Sequence, residues 1–185
     1  MKKMIAIDPG SSMSAYVLMD ADAYRPLQFG KLENDALLHS LRDELAGEDV
    51  IVVLERVASF GMPVGRDVFR TCEWIGRFAQ VALDRGCSVH YILRSEEKMQ
   101  LCHDSRAKDA NIRRALIDRF AQHDMRFGKG TRRRPDVFFG FSADVWSAFA
   151  VGVTWLDKRA DSEDGVHDGG RRGAGGARGV AGAAD

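Results

Sequence analysis

Apolar and polar positions along the chain fall into two rhythms, short runs early and longer helical stripes later. Residues 3–8 and 13–19 are strand-like runs on either side of Asp8-Pro9-Gly10-Ser11-Ser12, a hairpin pattern, and a third strand is expected near Pro26–Gly30. Leu32, Ala36, Leu37, Leu41 and Leu45 then recur at helical spacing up to Gly47, a suitable C-terminal stop. Val50-Ile-Val-Val-Leu54 is an unbroken apolar run of the length of a buried central strand, and it ends in Glu55. The stripe Phe69, Cys72, Ile75, Gly76, Ala79 and Leu83 predicts a helix over Arg66–Asp84, and Ser88–Leu93 is the next strand. A helix from Asp109 to about His123 places Ile112, Leu116 and Phe120 four apart. The last helix, about Ala143–Leu156, carries Trp146, Phe149, Ala150, Val153 and Leu156 on its apolar side.

This order predicts an α/β fold, a mixed sheet with helices packed against it. A dinucleotide-binding domain is excluded. The first turn has one glycine rather than G-x-G-x-x-G, and no G-K-[ST] occurs, so no nucleotide cofactor is expected.

The 185 residues, 45% of them hydrophobic, suffice for one domain with a substantial core, expected over residues 1–157. Residues 158–185, rich in Gly, Ala and Arg, lack the apolar side chains to offset the entropy of ordering and read as a disordered tail. Cys72, Cys87 and Cys102 form no close pair, which speaks for reduced thiols in a cytoplasmic protein rather than a disulfide framework. The apolar run after Lys3 stops at Asp8, short of a signal peptide, and no stretch approaches membrane-spanning length.

The formal net charge of zero hides an uneven distribution, because between Arg94 and Arg134 twelve Lys or Arg stand against six Asp or Glu. Phosphate contacts depend on such a local surplus rather than on the sum. The densest part, Arg126–Arg134, holds five basic residues and no acid, the composition of a phosphate-binding loop or of solvated surface.

Three carboxylates stand at informative places. Asp8 closes the first strand beside a sharp turn, where it either bonds to turn backbone or faces a metal or phosphate. Glu55 closes the Val50–Leu54 strand, either in an ion pair with Arg56 or Arg66 or opposite Asp8 across a cleft. Asp144 begins the last helix, where it complements the helix dipole, competes with Ser142 as the cap, or joins the other two. Together they form an all-oxygen set suited to Mg²⁺ or Mn²⁺, and two such ions can activate water and stabilise the departing oxygen of a phosphodiester.

Ile5-Ala-Ile-Asp-Pro-Gly-Ser11, Val52-Val-Leu-Glu55, Ala107-Lys-Asp-Ala-Asn-Ile-Arg-Arg-Ala-Leu116 and Asp144-Val-Trp-Ser-Ala-Phe-Ala-Val151 resemble, in order and spacing, the RuvC-type Holliday junction resolvases of the RNase H-like nuclease superfamily, especially their phage or prophage branch. The resemblance implies an RNase H-like mixed five-stranded sheet with helices on both faces. It implies a homodimer that cuts branched DNA with Mg²⁺ or Mn²⁺, two ions per site. Asp8, Glu55 and Asp144 fall on the family's metal carboxylates, and Lys108 falls near a basic residue used at the scissile phosphate. Where the family starts its last helix with Asp-x-x-Asp or His-x-x-Asp, this chain reads Asp144-Val-Trp-Ser147. Either Asp109 compensates, or one ion is held firmly and the other only with substrate.

On this resemblance DNA contacts are expected from Arg56, Phe60, Met62, Arg66, Arg70, Arg106, Lys108, Arg113, Lys129, Arg132, Arg133 and Arg134. Phe60 and Met62 either wedge between base pairs or cover the core beneath a loop. Arg66, Arg70 and Arg77 are phosphate contacts or a solvated helix face. His103 is the histidine to test for proton transfer. The competing functions are a non-catalytic branched-DNA-binding protein, an actin-like or sugar-kinase-like ATP phosphotransferase, and a nuclease that processes ribosomal RNA.

Overall fold

The computed structural model describes residues 1–45, 50–58, 61 and 63–168, with side chains through residue 163. Five strands, β1 (Lys3–Asp8), β2 (Met13–Asp20), β3 (Arg25–Glu33), β4 (Val50–Arg56) and β5 (Ser88–Leu93), form one sheet in the order β3-β2-β1-β4-β5. β2 is antiparallel to β1 and to β3, while β4 is parallel to β1 and to β5. The C-terminal ends of β1, β4 and β5 therefore lie side by side.

Strand alternation sorts the core into two layers. Ile5, Ile7, Val50, Val52 and Leu54 pack on one face with Leu37, Leu38 and Leu41 of α1 (Asn34–Glu44) and Ile75, Phe78 and Ala82 of α2 (Arg66–Asp84). Met4, Ala6, Ile51, Val53 and Ile92 pack on the other, against α4 (Asp109–Phe120) and α5 (Ala143–Asp168). A short helix, α3 (Arg94–Cys102), follows β5 and touches α4 and α5.

Helix α5 packs tightly on the sheet at Gly152, where a Cβ would sit 2.8 Å from Met19 Sδ and 3.0 Å from Met4 Cε. Asp144, Ala148 and Gly152 are spaced four apart and share one side of this helix, so the close approach at Gly152 carries Asp144 toward the end of β1.

Several expectations need correction. β3 runs to Glu33, so Leu32 belongs to a strand and α1 starts at Asn34. The expected stop of α1 at Gly47 lies outside the described residues. Phe69, Cys72, Gly76 and Leu83 of α2 are exposed, while Ile75 and Ala79 are buried as expected, joined by Thr71, Phe78, Val81 and Ala82. Helix α5 continues past Leu156 to Asp168, so the first residues assigned to the tail are helical, and 169–185 lie outside the described residues. Among the described residues no helix is long and apolar enough to cross a membrane.

Candidate active site

Asp8 has the parity of Met4 and Ala6, and Glu55 that of Ile51 and Val53, so both carboxylates emerge on the α5 face at the same end of the sheet. Their strands are adjacent and in register, Ile7 opposite Leu54. The two side chains are close enough for each to act on the other's ionisation. The third parallel strand adds a cation by the same rule. Ile92 faces α5, and Arg94, two residues on, enters the cluster at the start of α3.

Arg94 binds this acidic end together. One guanidinium nitrogen donates to Glu97 Oε2 at 2.6 Å, and another donates to Asp109 Oδ1 at 2.5 Å. Glu97 is wholly buried, and its Oε1 has no hydrogen-bond partner among the described residues. Glu97 was not expected from sequence. The usable signal was its place one helical turn after Arg94, just beyond a strand ending beside Glu55.

Burial of these acids opposes their ionisation. Asp8 is pushed up to about 8, by burial first and then by the charge of Glu55, with Arg94 opposing and Asp144 adding. Glu55 is raised to about 7 by burial and the charge of Glu97, while Arg94 pulls the other way. Glu97 is raised to about 8 by burial, against the pull of Arg94 and with a further push from Asp8.

A polar knot sets the turn that presents Asp8. Ser14 Oγ donates to Asn34 Oδ1 at 2.6 Å, Asn34 Nδ2 donates to the Gly10 carbonyl at 2.9 Å, and Gly10 N–H donates to Ser14 Oγ at 3.1 Å. Both Ser14 and Asn34 are buried. Gly10 is required, since a Cβ there would lie 2.3 Å from the Met13 carbonyl oxygen.

Asp144 approaches from the first turn of α5, near enough for its charge to act on Asp8, and it accepts a 2.8 Å hydrogen bond from Lys31 Nζ of β3. Asp144 and Ser147 line a cleft of about 90 Å³ with Arg94, Asp109 and Arg113. Glu55 makes no ion pair with Arg56 or Arg66 among the described residues, contrary to that alternative; its neighbours are Asp8, Glu97 and Arg94. Lys108 is the exposed N-cap of α4, directly before Asp109.

The donor set has the chemistry for a hard divalent cation: only oxygen donors, an excess of acid, and a buried carboxylate oxygen without a partner. Among the described residues no three His, Cys, Asp or Glu side chains are arranged to hold a metal ion as they stand. Arg94 and Lys31 supply the positive charge instead.

The remaining expected DNA contacts fall on several separate elements. Arg56, Arg66, Arg70, Arg106, Arg113, Arg132, Arg133 and Arg134 are exposed and Lys129 is half-buried. Arg113 lies 5.5 Å from the Trp146 ring centre. Arg77 is engaged within the chain, 3.9 Å over Trp74 and paired with Asp35 at 3.3 Å. His103 is the exposed, left-handed C-cap of α3. Phe60 and Met62 lie outside the described residues.

No protein-family model matches the chain, and no curated protein matches it in sequence. Among solved structures it is similar to Thermus thermophilus RuvC, at 11% identity and a TM-score of 0.60, with 86% of this chain and 96% of that chain covered. It is similar over the same shares to T. thermophilus RuvC in complex with Holliday junction substrate, at 11% identity and a TM-score of 0.59. A ROK family protein from Streptococcus pneumoniae TIGR4 in complex with sucrose matches 53% of this chain and 36% of its own at 12% identity and a TM-score of 0.35, too loosely to carry an argument. The chain thus has a RuvC-like, RNase H-like α/β fold: a mixed five-stranded sheet with helices on both faces.

Proposed function

We propose that the chain is a metal-dependent endonuclease that hydrolyses phosphodiesters of branched DNA, acting as a homodimer of the kind its phage-like RuvC resemblance implies. The observation that carries this reading is the placement of Asp8 and Glu55 on the same face at the ends of adjacent parallel strands, each acting on the other's ionisation, with the Asp144 charge close by. Two buried acids held together in this way weaken the fold unless a cation or a proton relieves them.

Asp8, Glu55 and Asp144 are the residues that would hold Mg²⁺ or Mn²⁺, with Glu97, Asp109 and Ser147 at the margin. The ion would supply electrostatic stabilisation of a phosphate oxygen and a lowered pKa for water. The chain's own groups supply the rest. Asp8 and Glu55 act as carboxylates, Arg94 balances Glu97 and Asp109, and Lys108 and Arg113 hold the flanking phosphates.

Cleavage of a synthetic four-way DNA junction with Mg²⁺ or Mn²⁺, by wild type and by Asp8→Asn and Glu55→Gln, tests the proposal. Both variants are expected to lose cleavage by about a thousandfold or more, as for removal of essential transition-state stabilisation, and to keep junction binding. Failure of the wild type to cut any branched DNA with either ion would falsify the catalytic part.

A second reading has its own support. Lys31 bound to Asp144, and Arg94 lodged among the other acids, neutralise the cluster internally, as suits a branched-DNA-binding protein without catalysis. The same assay separates the two, because such a protein binds junctions and leaves them intact.

A further inference from the structure

The segment between α4 and α5 is folded by two carboxylates turned inward. Asp136 accepts backbone N–H bonds from Gln122 at 2.9 Å, His123 at 2.9 Å, Asp124 at 2.7 Å and Val137 at 2.7 Å. Asp124 accepts from the backbone of Arg126 at 3.2 Å, Phe127 at 3.1 Å, Lys129 at 3.1 Å and Gly130 at 2.9 Å. Gly130 pairs antiparallel with Pro135, and Thr131 N–H donates to the Arg134 carbonyl at 2.9 Å, closing a tight tongue. Gly128 has a φ of +69°, and a Cβ there would meet the Phe138 ring at 2.5 Å, so the tongue is seated on the core.

This folding consumes the acids at both ends of the tongue. Arg126, Lys129, Arg132, Arg133 and Arg134 make no ion pair among the described residues. Among them stands Phe127, 56% exposed, with the Arg126 guanidinium 4.8 Å from its ring centre. A rigid, wholly positive loop that displays an aromatic ring presents the two chemistries a nucleic-acid strand recognises: cations for phosphates and a π-face for a base.

We propose that this tongue is a preformed DNA-contact element in which Phe127 stacks on an unpaired base while Lys129 and Arg132–Arg134 hold the flanking phosphates. The assignment rests on the DNA reading above but on none of the carboxylates of the cleft.

Anisotropy titrations of the full chain in EDTA provide the test. They compare a perfect DNA duplex, the same duplex with a one-nucleotide gap opposite 2-aminopurine, and the RNA counterpart of the gapped form. Wild type is expected to prefer the gapped DNA and to quench the 2-aminopurine. Phe127→Ala should weaken gapped-DNA binding about 5- to 100-fold and abolish the quench without changing duplex affinity, and Phe127→Trp should restore both. The Arg132→Ala, Arg133→Ala, Arg134→Ala triple variant should weaken all DNA binding and lower the salt slope by about 2–3. Wild-type affinity and quench in Phe127→Ala, or an unchanged salt slope in the triple variant, overturns the tongue assignment alone. Equal or tighter binding to the RNA overturns its choice of DNA. If the wild type binds no DNA at all, this assignment and the nuclease reading both fall.

Discussion

Arg94 and Glu97 are joined one helical turn apart by a 2.6 Å hydrogen bond, and Glu97 has no exposed surface. A carboxylate so placed depends on its one cation. Truncating one member of a buried ion pair leaves the other uncompensated, whereas replacing both with apolar groups is often neutral or better.

Arg94→Met is therefore expected to cost about 3–5 kcal/mol of stability near pH 8. Lower pH relieves the cost by protonating Glu97. The double change Arg94→Met, Glu97→Met should recover most of the loss. Chemical denaturation of the three proteins at pH 6 and pH 8 checks this, and equal stability of Arg94→Met and wild type at both pH values would remove Arg94 from its central position.

The raised carboxyls predict a pH dependence of the metal-free protein. Folded values of about 8 for Asp8, about 7 for Glu55 and about 8 for Glu97 lie above their ordinary values, so the folded state binds more protons than the unfolded state across this range. Stability from these groups is full below the ordinary carboxyl range and is lost as pH rises through about 7–8. In EDTA the melting temperature should fall between pH 6 and 8.5. Added Mn²⁺ should raise it more at pH 8 than at pH 6, where protons compete for the same oxygens. A flat profile, or a larger Mn²⁺ effect at pH 6, contradicts the prediction.

Asn34 holds the turn that presents Asp8 through its bonds to Ser14 and Gly10. Asn34→Ala leaves Ser14 Oγ and the Gly10 carbonyl without their partner and should cost about 1–3 kcal/mol. On the nuclease reading proposed above, junction cleavage should fall at saturating Mn²⁺, because the displaced turn misplaces the carboxylate. A variant destabilised to this extent yet fully active would show that the knot serves folding alone.

Asp136 is the equivalent support for the tongue. Burial alone would raise its pKa, but backbone N–H donors from Asp124, Gln122, His123 and Val137 prevail and hold it well below the usual carboxylate range. Its stabilisation is present above the ordinary Asp range and is lost only in strong acid. Asp136→Ala should cost about 2–4 kcal/mol by orphaning several donors, and amide exchange at residues 122–124 should accelerate. Unchanged exchange there would count against the staple.

Much of the site was legible because strand periodicity is local. The parity of Met4, Ala6 and Asp8, and of Ile51, Val53 and Glu55, places both acids on one face once the strands are paired, and the stop of each apolar run marks the end of the sheet. The stripe of α2 was less legible. Its sequence supports two helical faces, one through Phe69, Cys72 and Leu83 and one through Thr71, Phe78 and Ala82, and the sheet selects the second. Helix α3 was missed because Glu97 is its one fully buried residue, so no apolar stripe announces it.

By itself the sequence determined where strands end, which residues share a face, and that acids stand at two strand ends and one helix start, because these follow from the spacing of near neighbours. Only the tertiary structure decided that Arg94 would bridge Glu97 and Asp109, that Lys31 would hold Asp144, and that Asp124 and Asp136 would turn inward. The Arg94–Asp109 and Lys31–Asp144 pairings join different elements, and Asp136 ties together loop positions 12 to 14 residues apart. Each depends on the desolvation and close approach that arise when the strands end together and the helices close over them.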